Sequence, residues 1–162
     1  MNIRPAIAED IAAICACDHL AGEPARRRFI RDAVASGTAD VAEREARVIG
    51  YAVLDYSFYG HGFIAMLYVH PAHRRAGVGA GLIRHVETRC KTAKLFTSTN
   101  ERNRPMQALL VKLGYSPSGV INNLDEGDPE IVYFKRGEKL PFDRDTEEAT
   151  ARSSVPRKDP NR

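Results

Sequence analysis

The most informative stretch of the sequence is FIAMLYVHPAHRRAGVGA, which occupies residues 63–80. It begins with a near-continuous apolar run to Val69, which is typical of a strand buried on both faces. Pro71 ends this strand, and a helix is predicted to begin near Gly77 because an apolar stripe follows at helical spacing. The stripe comprises Val78, Leu82, Ile83, Val86 and Cys90. Since the first N–H groups of a helix lack acceptors and carry the positive end of its dipole, this turn predicts an anion site suited to phosphate.

Three phosphate-binding patterns compete for this turn. A P-loop needs Lys-Ser or Lys-Thr after its last glycine, whereas Gly79 is followed by alanine. A dinucleotide fingerprint needs a glycine at the sixth position counted from Gly77, where the chain has Leu82. The third pattern, Arg/Gln-x-x-Gly-x-Gly/Ala, is met by Arg74, Gly77 and Gly79, and Arg75 adds positive charge beside it.

The rest of the chain alternates between strand and helix patterns. Apolar stripes predict one helix before residue 18 and another after Gly22, and Gly60-His61-Gly62 predicts a turn between two strands. Asn103 is a good N-cap for a later helix that ends at Gly114. Strands are predicted at residues 2–6, 39–43, 47–58, 63–69, 95–99, 115–121 and 130–136. The resulting order of elements is βααβββαβαββ.

The third phosphate pattern resembles the pyrophosphate loop of the GNAT superfamily of acyl-CoA-dependent N-acetyltransferases. Two other segments are similar to the same family: LYVHP at residues 67–71 resembles its fourth strand, and the stretch from Asn103 to Tyr115 resembles its later helix. The order of elements over residues 2–136 also resembles that of the family. The resemblance implies an α/β (α+β) fold in which helices flank a mixed, mostly antiparallel β-sheet.

The resemblance also implies a role for each part of the motif. Backbone groups of Leu67, Tyr68 and Val69 pair with the pantetheine arm of acetyl-CoA, and an N–H among them polarises the thioester carbonyl. Asn103 touches this cosubstrate near its thiol end. The pyrophosphate is held by backbone from Arg74, Arg75, Ala76, Gly77, Val78, Gly79 and Ala80. A primary amine attacks the thioester directly, so Cys15, Cys17 and Cys90 need no catalytic part.

Two positions depart from the family pattern. Leu110 stands where many members carry a tyrosine acid, and Ser98 stands where some carry a glutamate base. An acidic loop near residues 125–130 could take over the work of the base because it attracts a cationic amine and can relay its proton through water. We expect Glu126 to be the base and Tyr133 a proton donor, with a merely solvated turn as the alternative interpretation.

Composition limits the other function classes. The 162 residues are 43% hydrophobic and carry a net charge of +3, which fits one globular domain and favours neither a membrane protein nor nucleic-acid binding. We expect a GNAT domain at residues 1–140 and a disordered tail at residues 141–162, whose composition cannot bury enough apolar surface. Three sparse cysteines and the lack of a signal-like start indicate a cytoplasmic protein.

Several alternatives stay open. The sequence predicts an N-acetyltransferase acting on a small cationic amine, a protein lysine or a protein N-terminus, and the alternative is an acyl-CoA-binding sensor or interaction module with weak catalysis. The family makes a homodimer possible. His70 and His73 flank a proline without a third ligand nearby, so no metal site is predicted. The arginines at 26–31 favour a solvated helix face over a binding surface.

Overall fold

A computed structural model describes residues 1–137 of the chain, and a seven-stranded sheet forms its centre. The strand order is β1-β2-β3-β4-β5-β7-β6. Neighbouring strands are antiparallel except for β4 and β5, which are parallel. The strands are β1 Asn2–Pro5, β2 Ala39–Arg44, β3 Arg47–Phe58, β4 His61–Val69, β5 Lys94–Asn100, β6 Ser116–Ile121 and β7 Glu130–Arg136. The predicted mixed, mostly antiparallel sheet is confirmed.

Four α-helices cover the two faces of the sheet. They are α1 Ile11–Cys17, α2 Pro24–Ala35, α3 Val78–Arg89 and α4 Arg104–Lys112, with short 3-10 turns at Ala8–Asp10, His19–Gly22 and Pro71–His73. Helices α1 and α2 bury their apolar residues against one face, and α3 and α4 bury theirs against the other. The predicted order of elements is confirmed.

The helices form where the sequence signals them. In α3, Leu82, Ile83 and Val86 are fully buried, which agrees with the predicted stripe. The side chain of Asn103 accepts the Met106 N–H at 3.3 Å and begins α4 as predicted. Gly114 follows α4 with φ of 86°, a conformation that glycine adopts without strain.

Two expectations for β4 were wrong in part. The turn between β3 and β4 consists of Tyr59 and Gly60, with φ of 53° and 76°, so His61 and Gly62 already belong to the strand. Gly62 is needed there for packing, since a Cβ would lie 2.5 Å from the Cys90 sulfur. The run at residues 63–69 is also not buried on both faces, since only Ile64 and Tyr68 are buried and the other residues are half-buried.

Part of the predicted domain organisation falls outside the residues that the structure describes. The predicted tail at residues 141–162, and the last three residues of the predicted domain, lie outside the described residues. Among residues 1–137, no helix is both long and apolar enough to span a membrane.

Candidate functional site

A gap opens in the middle of the sheet. The parallel strands β4 and β5 pair only at Gly62 with Leu95, Phe63 with Phe96 and Ile64 with Thr97. The Thr97 hydroxyl donates to the Ile64 carbonyl at 3.2 Å and forms the last link between them. Beyond this point β4 continues beside β3, and β5 continues beside β7. The gap, between residues 65–69 and residues 98–100, therefore widens towards the carboxyl ends of both strands.

A β-bulge lies at the narrow end of the gap. Val53 pairs with Met66 and the next residue, Leu54, pairs with Ile64, so Ala65 is an extra residue in β4. A bulge redirects the backbone groups next to it and is common beside functional sites. Here it marks the place where β4 leaves β5.

The backbone of β4 presents unpaired groups to the gap. The His70 N–H donates to the Ile49 carbonyl of the neighbouring strand at 2.9 Å. Because hydrogen-bonded pairs alternate in an antiparallel ladder, the N–H and C=O groups of Leu67 and Val69 face away from β3 and into the gap. The Val69 carbonyl accepts from Arg74 Nε at 3.0 Å. The backbone of Tyr68 pairs with β3, and its side chain lies on the α1–α2 face.

The turn before α3 forms a run of free N–H donors. Gly77 is the N-cap residue with φ of 79°, and Arg75 also has a positive φ of 62°. Among residues 1–137, no acceptor is found for the N–H groups of residues 75–80. Successive free N–H groups at the start of a twelve-residue helix suit an anion. The residues predicted to hold the pyrophosphate, 74–80, all lie in this turn or in the first turn of α3.

Helix α3 follows β4 and helix α4 follows β5, so both helices begin after the strands that flank the gap. A Cβ on Gly79 would lie 3.3 Å from Leu109 Cδ2 in α4 and 3.8 Å from Leu67 Cδ2 in β4. The first turn of α3 is therefore in close contact with both elements. Asn103 lies at the start of α4, and its side-chain oxygen is used there as the cap.

The acidic loop at residues 122–129 is fastened to the end of β5. Asn100 Nδ2 donates to Asp125 Oδ2 at 2.9 Å, and the Arg102 N–H donates to Asp128 Oδ1 at 3.0 Å. Glu126 is exposed at the tip of this loop, without an ion pair among the described residues. The loop therefore carries negative charge to the side of the gap formed by β5.

Tyr133 lies on β7, which neighbours β5 on the side away from the gap. It is buried on β7 opposite Thr97 and packs with the residues beneath α3 and α4. Within residues 1–137 no hydrogen bond joins Tyr133 to Glu126. The two predicted catalytic residues thus lie on different elements, Tyr133 in the core and Glu126 on the exposed loop.

A polar cluster on the α1–α2 face was missed by the sequence analysis. His19 Nδ1 lies 2.6 Å from the hydroxyl oxygen of Tyr68, and the Tyr51 hydroxyl donates to Asp18 Oδ2 at 2.6 Å. Burial, followed by the adjacent carboxylate, raises the pKa of Tyr51. Strand alternation could have placed both tyrosines on one face, but Asp18 and His19 come from a connection with no matching signal.

Arg26 departs from the expected solvated helix face. Its Nη1 lies 3.0 Å from Met66 Sδ, and its Nε lies 3.5 Å from Asp18 Oδ2. Arg28 and Arg31 on the same helix are exposed, as expected. The expectation fails for Arg26 because the first turn of α2 passes over β4, a contact that the helix period alone does not reveal.

Two further side chains of reactive types, Cys17 and His70, are buried or hydrogen-bonded within the fold. Burial raises the pKa of Cys17 to about 11, so little thiolate exists at neutral pH. His70 Nδ1 accepts the N–H of Ala72 at 3.3 Å. Among the described residues, no group of three or more His, Cys, Asp or Glu side chains could hold a metal ion.

Comparison with known proteins identifies the family. The model of the Acetyltransferase (GNAT) family matches residues 8–115. The chain belongs to the GNAT acetyltransferase family. A comparison with curated protein sequences finds no match. An acetyltransferase of the GNAT family from Bacillus cereus is 31% identical, with a TM-score of 0.79 over 83% of this chain and 96% of that chain.

More distant structures share the GNAT fold. YncA from Salmonella typhimurium, solved with its cofactor acetyl-CoA, is 20% identical, with a TM-score of 0.71 over 87% of this chain and 96% of that chain. Naa50 from Arabidopsis thaliana, in complex with the bisubstrate analogue CoA-Ac-MVNAL, is 18% identical, with a TM-score of 0.67 over 83% and 97%. This GNAT acetyltransferase is an acetyl-CoA-dependent enzyme with acetyl-CoA as its cosubstrate.

The residues of this GNAT acetyltransferase fit that cosubstrate. Its diphosphate needs hydrogen-bond donors and positive charge, and the turn at residues 75–80 offers free N–H groups beside Arg74 and Arg75. Its amide-containing arm needs backbone partners, and the edge formed by Leu67 and Val69 offers them. Both features lie along one continuous path from the start of α3 to the bulge at Ala65.

Proposed function

We propose that this acetyltransferase transfers the acetyl group of acetyl-CoA to a primary amine, and that the amine attacks the thioester directly. The acceptor is a small cationic amine, a protein lysine or a protein N-terminus. The observation that carries the proposal is the gap between β4 and β5, with an unpaired backbone edge that leads to a run of free N–H donors.

In this proposal, backbone groups hold the cosubstrate. The diphosphate is held by the backbone of residues 74–80, through the free N–H groups of residues 75–80, and the pantetheine arm lies along residues 67–69 as an added strand. The geometry of β4 favours Leu67 and Val69 for direct pairing, because the backbone of Tyr68 already pairs with β3. Asn103, at the start of α4, lies near the thiol end of the arm.

The reaction needs an oxyanion donor. As the amine nitrogen bonds to the thioester carbon, negative charge develops on the carbonyl oxygen, and a fixed backbone N–H stabilises it. The Leu67 N–H is our candidate, since it faces the gap just after the bulge at Ala65. The tetrahedral intermediate then collapses with loss of the CoA thiolate, and no covalent bond to the enzyme is formed.

Proton transfer is assigned to the acidic loop and β7. An alkyl amine has a pKa of about 10.4 and is mostly protonated at neutral pH, so it must lose a proton before it attacks. Glu126 is exposed and free of ion pairs among the described residues, which suits a base that acts directly or through water. Tyr133 would return a proton to the leaving thiolate.

A second candidate function is acyl-CoA binding without turnover. Ser98 and Leu110 occupy the positions where family members carry a base and an acid, and Leu110 is fully buried. Such a protein would act as a sensor or interaction module. For either function, we propose a cytoplasmic location, and the homodimer that the family makes possible stays a prediction.

The release of free CoA thiol in the presence of an amine panel separates the two functions. The panel contains diamines, amino acids, lysine peptides and peptides with free N-termini. The proposed function predicts thiol release that depends on both the enzyme and one class of amine, with an equal amount of acetylated amine by mass spectrometry. Binding of acetyl-CoA without thiol release for any amine would favour the sensor.

A further inference from the structure

The guanidinium of Arg26 lies beside β4, next to the bulge at Ala65. Its Nη1 is 3.0 Å from Met66 Sδ, and Met66 is the first residue of β4 after the bulge at Ala65. Arg26 belongs to the first turn of α2, on the face of the sheet opposite to α3 and α4. It therefore lies beside the gap on the face of the sheet opposite to the turn that begins α3.

Most of the hydrogen-bonding capacity of Arg26 is unused. Its closest approach to a carboxylate joins Nε to Asp18 Oδ2 at 3.5 Å, and that oxygen already accepts the Tyr51 hydroxyl at 2.6 Å. The other oxygen of Asp18 accepts the Leu20 N–H at 2.9 Å. Among residues 1–137, neither Nη of Arg26 has an oxygen acceptor, and a thioether sulfur is a weak one.

This arrangement offers the N–H groups of the Arg26 guanidinium, already oriented, to a bound ligand. The Arg26 side chain is 21% exposed, so it is fixed by packing and still reaches the surface. A guanidinium whose Nη groups have no oxygen acceptor, one of them meeting only a thioether sulfur, matches the two oxygens of a carboxylate. Its positive charge, which Asp18 at 3.5 Å offsets in part, also disfavours an ammonium group beside Met66.

The opposite side of the gap has the opposite charge. The acidic loop is fastened to the end of β5 through Asn100 and Asp125, and Glu126 lies exposed on it. The gap thus has a guanidinium beside β4 and an acidic loop at the end of β5. A molecule with both an amine and a carboxylate complements both sides.

We infer that Arg26 binds the carboxylate of the acceptor, and that the acceptor is a small amino acid whose amine receives the acetyl group. This inference rests on the proposed function and narrows its acceptor class. Arg26 is a specificity-determining residue in this scheme. A peptide with a free N-terminus has no carboxylate close to its amine and would be a poor substrate.

Matched pairs of acceptors test the inference. The standard amino acids and their α-carboxamides are compared by thiol release, because each pair differs only in the carboxylate. Amidation lowers the pKa of the amine, which by itself favours attack by the amide. A preference of the wild type for the acid, expected to be at least tenfold in kcat/KM, therefore reports recognition of the carboxylate.

Three variants complete the experiment. Arg26→Gln should remove the preference for the acid and leave the KM for acetyl-CoA unchanged, while Arg26→Lys should keep part of the preference. Arg28→Gln, which removes an exposed arginine of the same helix, should behave as the wild type. A role in supporting Asp18 alone would lower Tm without changing the acid-to-amide ratio.

The outcomes distinguish this inference from the proposed function. Equal use of acids and amides by the wild type, or an unchanged ratio in Arg26→Gln, would overturn the role of Arg26 and leave amine acetylation intact. Turnover of peptides or diamines alone would do the same. Absence of turnover with every amine would overturn both, and if Arg26→Gln does not fold, the wild-type ratio and Arg26→Lys still decide.

Discussion

The side-chain amide of Asn100 donates to Asp125 Oδ2 at 2.9 Å and joins the acidic loop to the last residue of β5. Asn100 Nδ2 also lies 3.4 Å from the carbonyl oxygen of Asp128. The loop that we assign to acceptor binding is therefore held at the end of β5 by the Asn100 side chain, together with the backbone N–H of Arg102, which donates to Asp128. The charge and the position of this loop can be tested separately.

Replacement of Asn100 by aspartate should release the loop. The substitution replaces a hydrogen bond with repulsion between two carboxylates, at a cost of about 1–3 kcal/mol locally. We expect the KM for the acceptor to rise about tenfold, since about 1.4 kcal/mol corresponds to a factor of ten. The KM for acetyl-CoA should stay within about twofold, as measured by steady-state thiol release.

Asn122→Asp provides the control for this variant. It adds the same charge within the loop itself, and Asn122 makes no side-chain hydrogen bond among the described residues. An equal rise of the acceptor KM in both variants would mean that the added charge, rather than the Asn100–Asp125 contact, is responsible.

Gly79 should tolerate alanine and reject valine. A Cβ at this position would lie 3.3 Å from the flexible end of Leu109, which can move slightly, and alanine favours a helix by about 1 kcal/mol over glycine. The branched atoms of valine would press further towards Leu109, Leu67 and Val69 and separate α3 from the edge of the gap.

Isothermal titration with acetyl-CoA measures the effect. Gly79→Ala should bind within about threefold of the wild type, and Gly79→Val should bind at least about tenfold more weakly, a loss of about 1.4 kcal/mol. Equal binding by all three proteins would contradict the close approach of α3 to β4 as the reason for glycine at this position.

The elements of the fold could be predicted from sequence because their signals are local. Asn103 and Gly114 mark the two ends of α4, and the Arg74–Gly79 pattern marks the start of α3. The turn at Tyr59 and Gly60 could not be located in the same way, because a tyrosine with positive φ carries no turn signal. The bulge at Ala65 could not be predicted either, because no glycine or proline lies next to it in the sequence.

The acceptor side that we propose depends on contacts between distant parts of the chain. Arg26 meets Met66 forty residues later, and His19 meets Tyr68 across a similar separation. Periodicity predicts which face of a helix is polar, but it does not predict what crosses above that face. The cosubstrate side that we propose would use one continuous segment and its backbone, so its candidate residues follow from local sequence signals.

Glu126→Gln tests the base. The glutamine keeps the size of the side chain and removes its ability to take a proton, so kcat/KM for the acceptor should fall about 100-fold at neutral pH. The loss should shrink as the pH approaches the pKa of the amine. A kcat/KM equal to that of the wild type across the whole pH range would exclude Glu126 as the base.

Glu101→Gln is the matched control for the base. Glu101 follows β5 near the same loop and is also exposed. A comparable loss in both variants would indicate that the acidic rim attracts the amine by its overall charge, with no single residue as the base.

The Asp10 carboxylate should make stability depend on pH. Its hydrogen bonds with Arg4, together with the Ile7 N–H, hold the pKa of Asp10 below its ordinary value of 3.8 against the opposing effect of burial. The stabilisation is thus fully present above the ordinary value and is lost as the pH falls through the lowered value of the folded state.

Urea denaturation of Asp10→Asn at two pH values checks this prediction. At pH 7 the variant should be less stable by about 1–3 kcal/mol, and near pH 3 the difference should shrink. Asp32→Asn, at an exposed position of α2, should show no such change. A difference for Asp10→Asn that is the same at both pH values would contradict the assignment.

The most direct test of the cosubstrate site is thermal unfolding with and without acetyl-CoA. A ligand at about 100 times its Kd adds about 2.7 kcal/mol to the stability of the native state, and Tm should rise accordingly. Gly77→Glu places a carboxylate among the free N–H donors, whereas Gly37→Glu imposes the same charge and a similar positive φ at a distant turn. We predict a rise in Tm for the wild type and Gly37→Glu that is lost in Gly77→Glu. No rise in the wild type at millimolar acetyl-CoA, or an equal rise in all three proteins, would contradict binding of acetyl-CoA at this turn.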